Sequence, residues 1–202
     1  MRTLLIISGT LLLSLVSVIP SVAGPCSQQS EAPGIFVPDR SCVQFGFGYQ
    51  YQHYDAMGRT FVNNGYNTNV SIHLFDAITG AVGRLAAGAE GTAAFGFGGH
   101  TGGTPDLGVR SLFIGGGPRL AIESGSRFEP WAHGLVGWER FRFTQTATLG
   151  ASSALAFMFG GGLDFKLKSR IAWRVQADYL GTLFQSSEQS NYSIGSGLIF
   201  RF

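Results

Sequence analysis

The sequence is poor in charge. Lys, Arg, Asp and Glu make up 13% of its 202 residues, about half the ~25% of an ordinary soluble domain. It therefore lacks the charged coat that keeps a globular surface in water. The net charge is +2 and the 14 Lys and Arg residues form no cluster, which removes the basic footprint of nucleic-acid binding. Motifs of chemistry are missing too. His53, His73, His100 and His133 have no metal-ligand spacing, and neither H-E-x-x-H nor H-x-x-E-H occurs. No G-x-S-x-G marks an activated serine, and the glycine clusters at Gly98 and Gly115 lack G-x-G-x-x-G. The expectation is no metal, no cofactor and no enzyme. Beyond Pro20 no apolar run approaches the ~20 residues of a spanning helix. Any passage through lipid must then use strands, and only a closed barrel satisfies strand backbones there.

What is abundant is glycine, with 30 residues, and aromatic side chains, at 13%. Residues 1–23 have the anatomy of a secretory signal peptide. Met1-Arg2 is a short positive start, Thr3 to Ile19 is apolar, and Ser21-Val22-Ala23 offers a small-residue cleavage site. An uncleaved anchor is disfavoured because the run is short and Pro20 closes it. Residues 24–41, containing Pro, Ser and Gln without periodicity, read as a flexible leader. Cys26 follows Gly24-Pro25, which is no lipid-accepting motif. In an oxidising exported compartment Cys26 and Cys42 could pair, the alternative being two unpaired thiols.

From residue 42 the chain alternates with period two, the mark of strands whose successive side chains face opposite ways. Val43 to Gln52 is the first clear case. Asn69 to Phe75, a weaker Gly80 to Ala87, Ser111 to Ile122, Phe128 to Gly137, the pair Leu155 to Leu167 and Ile171 to Tyr179, and Tyr192 to Phe202 follow. These are about eight strands of roughly ten residues, the length a tilted strand needs to cross a membrane. Short turns are expected at Asp76 to Thr79, Glu123 to Arg127 and Lys168 to Arg170. Long loops are expected at His53 to Gly65, Gly88 to Leu107, Trp138 to Ser153 and Leu183 to Ser190. Strict alternation of short and long connections belongs to an up-and-down outer-membrane barrel, with short turns on the periplasmic side. The predicted fold is all-β, an eight-stranded antiparallel transmembrane barrel over 42–202. Pro118 cannot donate to a ladder, so a bulge is expected there.

One parity of this pattern is Phe-, Leu- and Trp-rich and is assigned to lipid. The other carries Arg84, Arg119, His133, Asp164, Lys166, Arg174, Gln176 and Asp178, with Gln44, Gln50, His73 and Arg201. A hairpin centred on Ser169 sets Asp164 opposite Arg174, where unlike charges attract. An eight-stranded barrel is narrow enough for side chains to fill it, so these groups are expected to pair and plug the lumen. The alternative is a narrow ion or solute path. Tyr49, Tyr51, Tyr54, Trp138, Phe141, Trp173, Tyr179 and Tyr192, many of them near strand ends, suit the aromatic girdles of the two interfaces.

The last strand places Tyr192, Leu198, Phe200 and Phe202 on one face, ending on an aromatic. With Gly161-Gly162-Leu163-Asp164, with Arg174 and Gln176-Ala177-Asp178-Tyr179, and with Gly117-Pro118-Arg119, the chain from about Cys42 resembles the small outer-membrane β-barrel domain proteins of OmpA/OmpX type. The resemblance implies a place in the bacterial outer membrane and contact with its lipid. It also implies that barrel-assembly machinery reads the final strand at Phe202, and that Pro118 occupies a position recurring in the family. It implies no reaction. The expected role is structural or surface-interacting, as a monomer, through long loops whose partner the sequence does not name. A small-solute or ion channel and a lipid A-modifying enzyme are the alternatives.

Overall fold

The computed structural model describes residues 42–202 apart from 57–58, 81–82, 101–107, 125, 144–150 and 185–186. Eight strands follow in order: β1 (Val43–Ala56), β2 (Arg59–Gly80), β3 (Gly83–His100), β4 (Gly108–Glu123), β5 (Phe128–Phe143), β6 (Ala151–Lys168), β7 (Ile171–Phe184) and β8 (Ser187–Arg201). Each pairs antiparallel with the next, and β8 returns to β1 with Phe45 opposite Phe200 and Tyr51 opposite Ile194. The sheet is a closed barrel. Closure removes every edge, so no row of N–H and C=O groups is left for lipid to strand. At the seam Cys42 N–H donates to the Phe202 carbonyl at 3.0 Å, and Phe202 N–H donates to Val43 at 2.9 Å.

The alternating pattern sorts faces as expected. Phe47, Leu120, Val136, Phe159, Leu163, Trp173, Leu198 and Phe200 are exposed on the outside, while Arg119, His133, Asp164 and Arg174 are buried inside. On β4 and β5 the outer apolar band covers 112–122 and 128–138, roughly the 9–11 residues a tilted strand needs to span a bilayer.

Strand length differs from expectation. The strands run from 14 to 22 residues, because three of the expected long loops are largely ladder. Residues 59–65 continue β2, 88–100 continue β3, and 139–143 with 151–154 extend β5 and β6. Leu183 and Phe184 likewise stay in β7, and β8 begins at Ser187. Beyond the apolar band there is no lipid to select an outward hydrophobe. Asn63, Asn64 and the glycines keep pairing through the backbone, and the period-two signal fades while the strand persists.

Two further corrections concern irregularities. Asp76 to Thr79 is strand, not turn, and the β2–β3 ladder shifts register between His73 and Phe75 and again between Asp76 and Ile78. An extra residue at a bulge reverses which face the following side chains take. His73 and Asp76 thus both turn inward and lie 3.3 Å apart. Pro118 has no bulge. It pairs in register with Ala89 on β3, and the ladder to β5 skips 117–118 and resumes at Arg119 opposite His133. The missing proline N–H is accommodated by that gap.

Candidate functional site

Among the described residues, the barrel interior is where charged side chains are gathered and buried. At its centre Asp164, on β6, stands opposite Arg174, on β7. The guanidinium donates through Nε to Oδ1 at 2.7 Å and through Nη2 to Oδ2 at 2.8 Å. This is the two-pronged geometry that makes an arginine–carboxylate pair strong. The Trp131 indole N–H donates to the same carboxylate at 3.0 Å, and Arg119 lies 3.5 Å away. The Trp131 ring meets both arginines, with the Arg119 guanidinium carbon 4.5 Å and that of Arg174 4.3 Å from its centre. A cation over an aromatic face is attracted by the ring quadrupole, so Trp131 helps to hold both guanidinium groups beside the Asp164 carboxylate. Gly162 makes room for it: a Cβ there would fall 2.1 Å from the Val175 carbonyl oxygen and 3.1 Å from Trp131 Cζ2.

Charge balance continues around this centre. Glu90 accepts from Arg119 at 2.9 Å and from Thr92 at 3.0 Å. His133 joins two strand systems, its Nδ1 2.9 Å from Glu90 and its Nε2 3.3 Å from Asp178. Asp178 in turn accepts from Gln176 at 2.9 Å and Ser193 at 3.3 Å. Towards the end that carries the termini, Glu129 holds Lys166 and Arg201, each at 2.5 Å. Arg84 donates through Nε to Glu123 at 2.8 Å. All eight lumen residues singled out from the sequence lie inside, and seven are buried, Lys166 being half-buried. Buried charges need partners, and the interleaving of acids with arginines supplies them.

The pairing network fills only one end. From mid-barrel to the opposite end the filling is mixed: Phe113, Leu135, Met158, Leu180, Phe141, Tyr54 and Phe61 form one buried cluster, with Leu135 at 0% exposure, and Gln50, Glu139, Thr182 and Asn191 are buried at the same level. Tyr54 meets Phe141 edge-on with ring centres 5.0 Å apart. A small hydrogen-bonded set, Ser111 with Gln52, Asn63 and Tyr54 at 3.1–3.3 Å, sits among them. Sequence reasoning missed this second plug. Phe113 and Leu135 share strand parity with Arg119 and His133, which was the available signal.

The assembly-strand residues Tyr192, Leu198, Phe200 and Phe202 all lie on the exposed outer face. Tyr49, Tyr51, Trp138, Trp173 and Tyr179 are exposed there as well, whereas Tyr54 and Phe141, expected in the girdles, have the inward strand parity and are buried inside the barrel. Cys42 is buried. Cys26, the 1–23 segment and the 24–41 leader lie outside the described residues, as does part of the expected 88–107 and 138–153 loops.

Neither a protein-family model nor a curated protein sequence matches the chain. Solved structures do. Neisserial surface protein A (NspA) is 9% identical with a TM-score of 0.59, over 80% of this chain and 98% of that one. Ail, the attachment invasion locus protein of Yersinia pestis, in complex with the heparin analogue sucrose octasulfate, is 16% identical with a TM-score of 0.52, over 78% and 97%. The outer membrane protein OprG from Pseudomonas aeruginosa is 12% identical with a TM-score of 0.50, over 82% and 99%. The shared property is the fold, that of the small outer-membrane β-barrels.

Proposed function

We propose that the chain is an integral protein of a bacterial outer membrane with a structural or surface-interacting role and a closed lumen. The observation that carries this reading is that the interior is filled twice over, by the paired network around Asp164 and by the apolar cluster around Leu135. A conducting pore needs a continuous wet path, and side chains of both layers stand across it, which supports the closed reading. The outer band of apolar side chains suits lipid, and the strands that continue past it suit contacts outside the cell. In this orientation the end bearing Cys42 and Phe202 faces the periplasm, as in outer-membrane barrels generally.

Two measurements test the reading. Folded protein in detergent should migrate differently on SDS gels before and after boiling, and cell fractionation should place it in the outer membrane. Recovery from the periplasm without a mobility shift would overturn the architecture. In planar bilayers the protein should give no unit conductance above background; defined single-channel steps would establish the channel instead. Incubation with lipid A should leave its mass unchanged, and a changed acyl chain would establish an enzyme.

A further inference from the structure

Among the described residues, every arginine side chain inside the barrel has a carboxylate within ion-pair distance, yet three on its outer wall have none. Arg110 on β4 and Arg140 and Arg142 on β5 point outward and are exposed. Arg110 and Arg142 are direct partners across the β4–β5 ladder, and Arg140 is the next outward residue on β5, opposite Leu112. Among the described residues none of the three side chains makes a hydrogen bond or ion pair. Their outward neighbours on the flanking strands are Phe97 and Ser153, and neither is acidic. Like charges set directly opposite on a sheet repel and destabilise it. Other exposed cations such as Arg127 and Arg170 stand next to turns at the terminal end, whereas these three are fixed on paired strands.

Their height on the wall is equally specific. The apolar band ends at Leu112 on β4 and at Trp138 on β5, and each arginine is the next or second outward residue beyond it. Tryptophan at such a boundary sits at headgroup level, so the guanidinium groups lie where lipid phosphates lie. Arginine binds phosphate through parallel N–H donors and is weakly hydrated, which favours this setting. We propose that Arg110, Arg140 and Arg142 form a binding site for the phosphate of a phosphorylated lipid headgroup in the outer leaflet. The proposal rests on the outer-membrane orientation given above. The headgroup supplies the missing negative charge, and the acyl chains lie along the apolar wall beneath.

The test uses full-length protein folded into phosphatidylcholine nanodiscs doped with bis-phosphorylated lipid A or its dephosphorylated form. Bound lipid is counted by native mass spectrometry after release. Wild-type protein should retain the phosphorylated form, and the triple variant Arg110→Gln, Arg140→Gln, Arg142→Gln should retain about tenfold less or lower still. Equal retention by wild type and variant, or of both lipids by wild type, overturns the site. Complete displacement of lipid by inorganic phosphate overturns the headgroup assignment and leaves a free-anion site. The variant's heat-dependent gel shift reports that the barrel, whose plug these residues do not touch, is folded. Failure of wild-type protein to enter nanodiscs at all would instead overturn the membrane reading, a distinct result.

Discussion

Asp164 and Arg174 face each other across adjacent strands and are joined by two hydrogen bonds, with only 1–2% of either residue exposed. Removing one member of such a pair leaves a buried charge, at a cost of about 3–5 kcal/mol. Arg119 and Trp131 still touch the carboxylate, so Arg174→Ala should fall at the lower end of that range. Urea unfolding in micelles, followed by the heat-dependent gel shift, measures it. Membrane insertion should be unaffected. Unchanged stability together with a new conductance would make the pair a gate rather than a strut.

The apolar half of the plug predicts a different signature. Leu135 is wholly buried against the cluster containing Phe113 and Met158. Leu135→Ala should lower stability by about 2–5 kcal/mol through lost transfer energy and a residual cavity. Because the cavity walls are hydrocarbon, it should stay dry, and bilayer recordings should remain silent. A conducting Leu135→Ala barrel would show that this layer is a seal only one side chain deep.

Gly162 and Gly91 form a matched comparison. A methyl at 162 meets backbone oxygen and the Trp131 ring, whereas a methyl at 91 meets nothing within 4 Å. Gly162→Ala should reduce the urea midpoint and alter the near-ultraviolet circular dichroism of Trp131. Gly91→Ala should match wild type or exceed it slightly. Equal midpoints would mean that the wall at Gly162 yields.

The strand extensions are checked by register. Val62 on β2 is opposite Gly99 on β3, beyond the outer apolar band. Cysteines placed at Val62 and Gly99 should oxidise to a cross-link seen by peptide mass mapping. A pair at Val62 and Phe95, four residues out of register, should not. Comparable cross-linking of both pairs would return this region to a loop.

These tests fall along the line between what residue patterns reveal and what they hide. The lumen set was legible because lipid on one side and confinement on the other force strict parity, so Arg84, Arg119, Asp164 and Arg174 announce their direction. Opposition of Asp164 to Arg174 is read from a turn centred on Ser169, but it depends on a register shift that the pattern does not show. The turn pairs Lys168 with Ile171, and the irregularity between Lys166 and Lys168 restores 164 opposite 174. Asn63 and Gly98 carried no such signal, since beyond the apolar band no lipid selects an outward hydrophobe, and Asn63 faces a polar set inside the barrel. The bulge at His73 was hidden for another reason. Leu74 and Phe75 are both outward, and two adjacent apolar residues look the same in a bent strand and a turn. Phe113 and Leu135 share the parity of the lumen set, but an inward hydrophobe reads as an exception until its neighbours from the other strands are seen around it.

The continuation of the strands past the apolar band has a consequence for recognition. A partner meeting the outer rim along β2 and β3 finds chain already ordered by its ladder, so little conformational freedom is lost on contact there. An antibody raised against the folded rim should read residues brought together across strands, such as Asn64 with Phe97. Boiled protein should fail to compete for it, because the epitope is a shape and not a stretch of sequence.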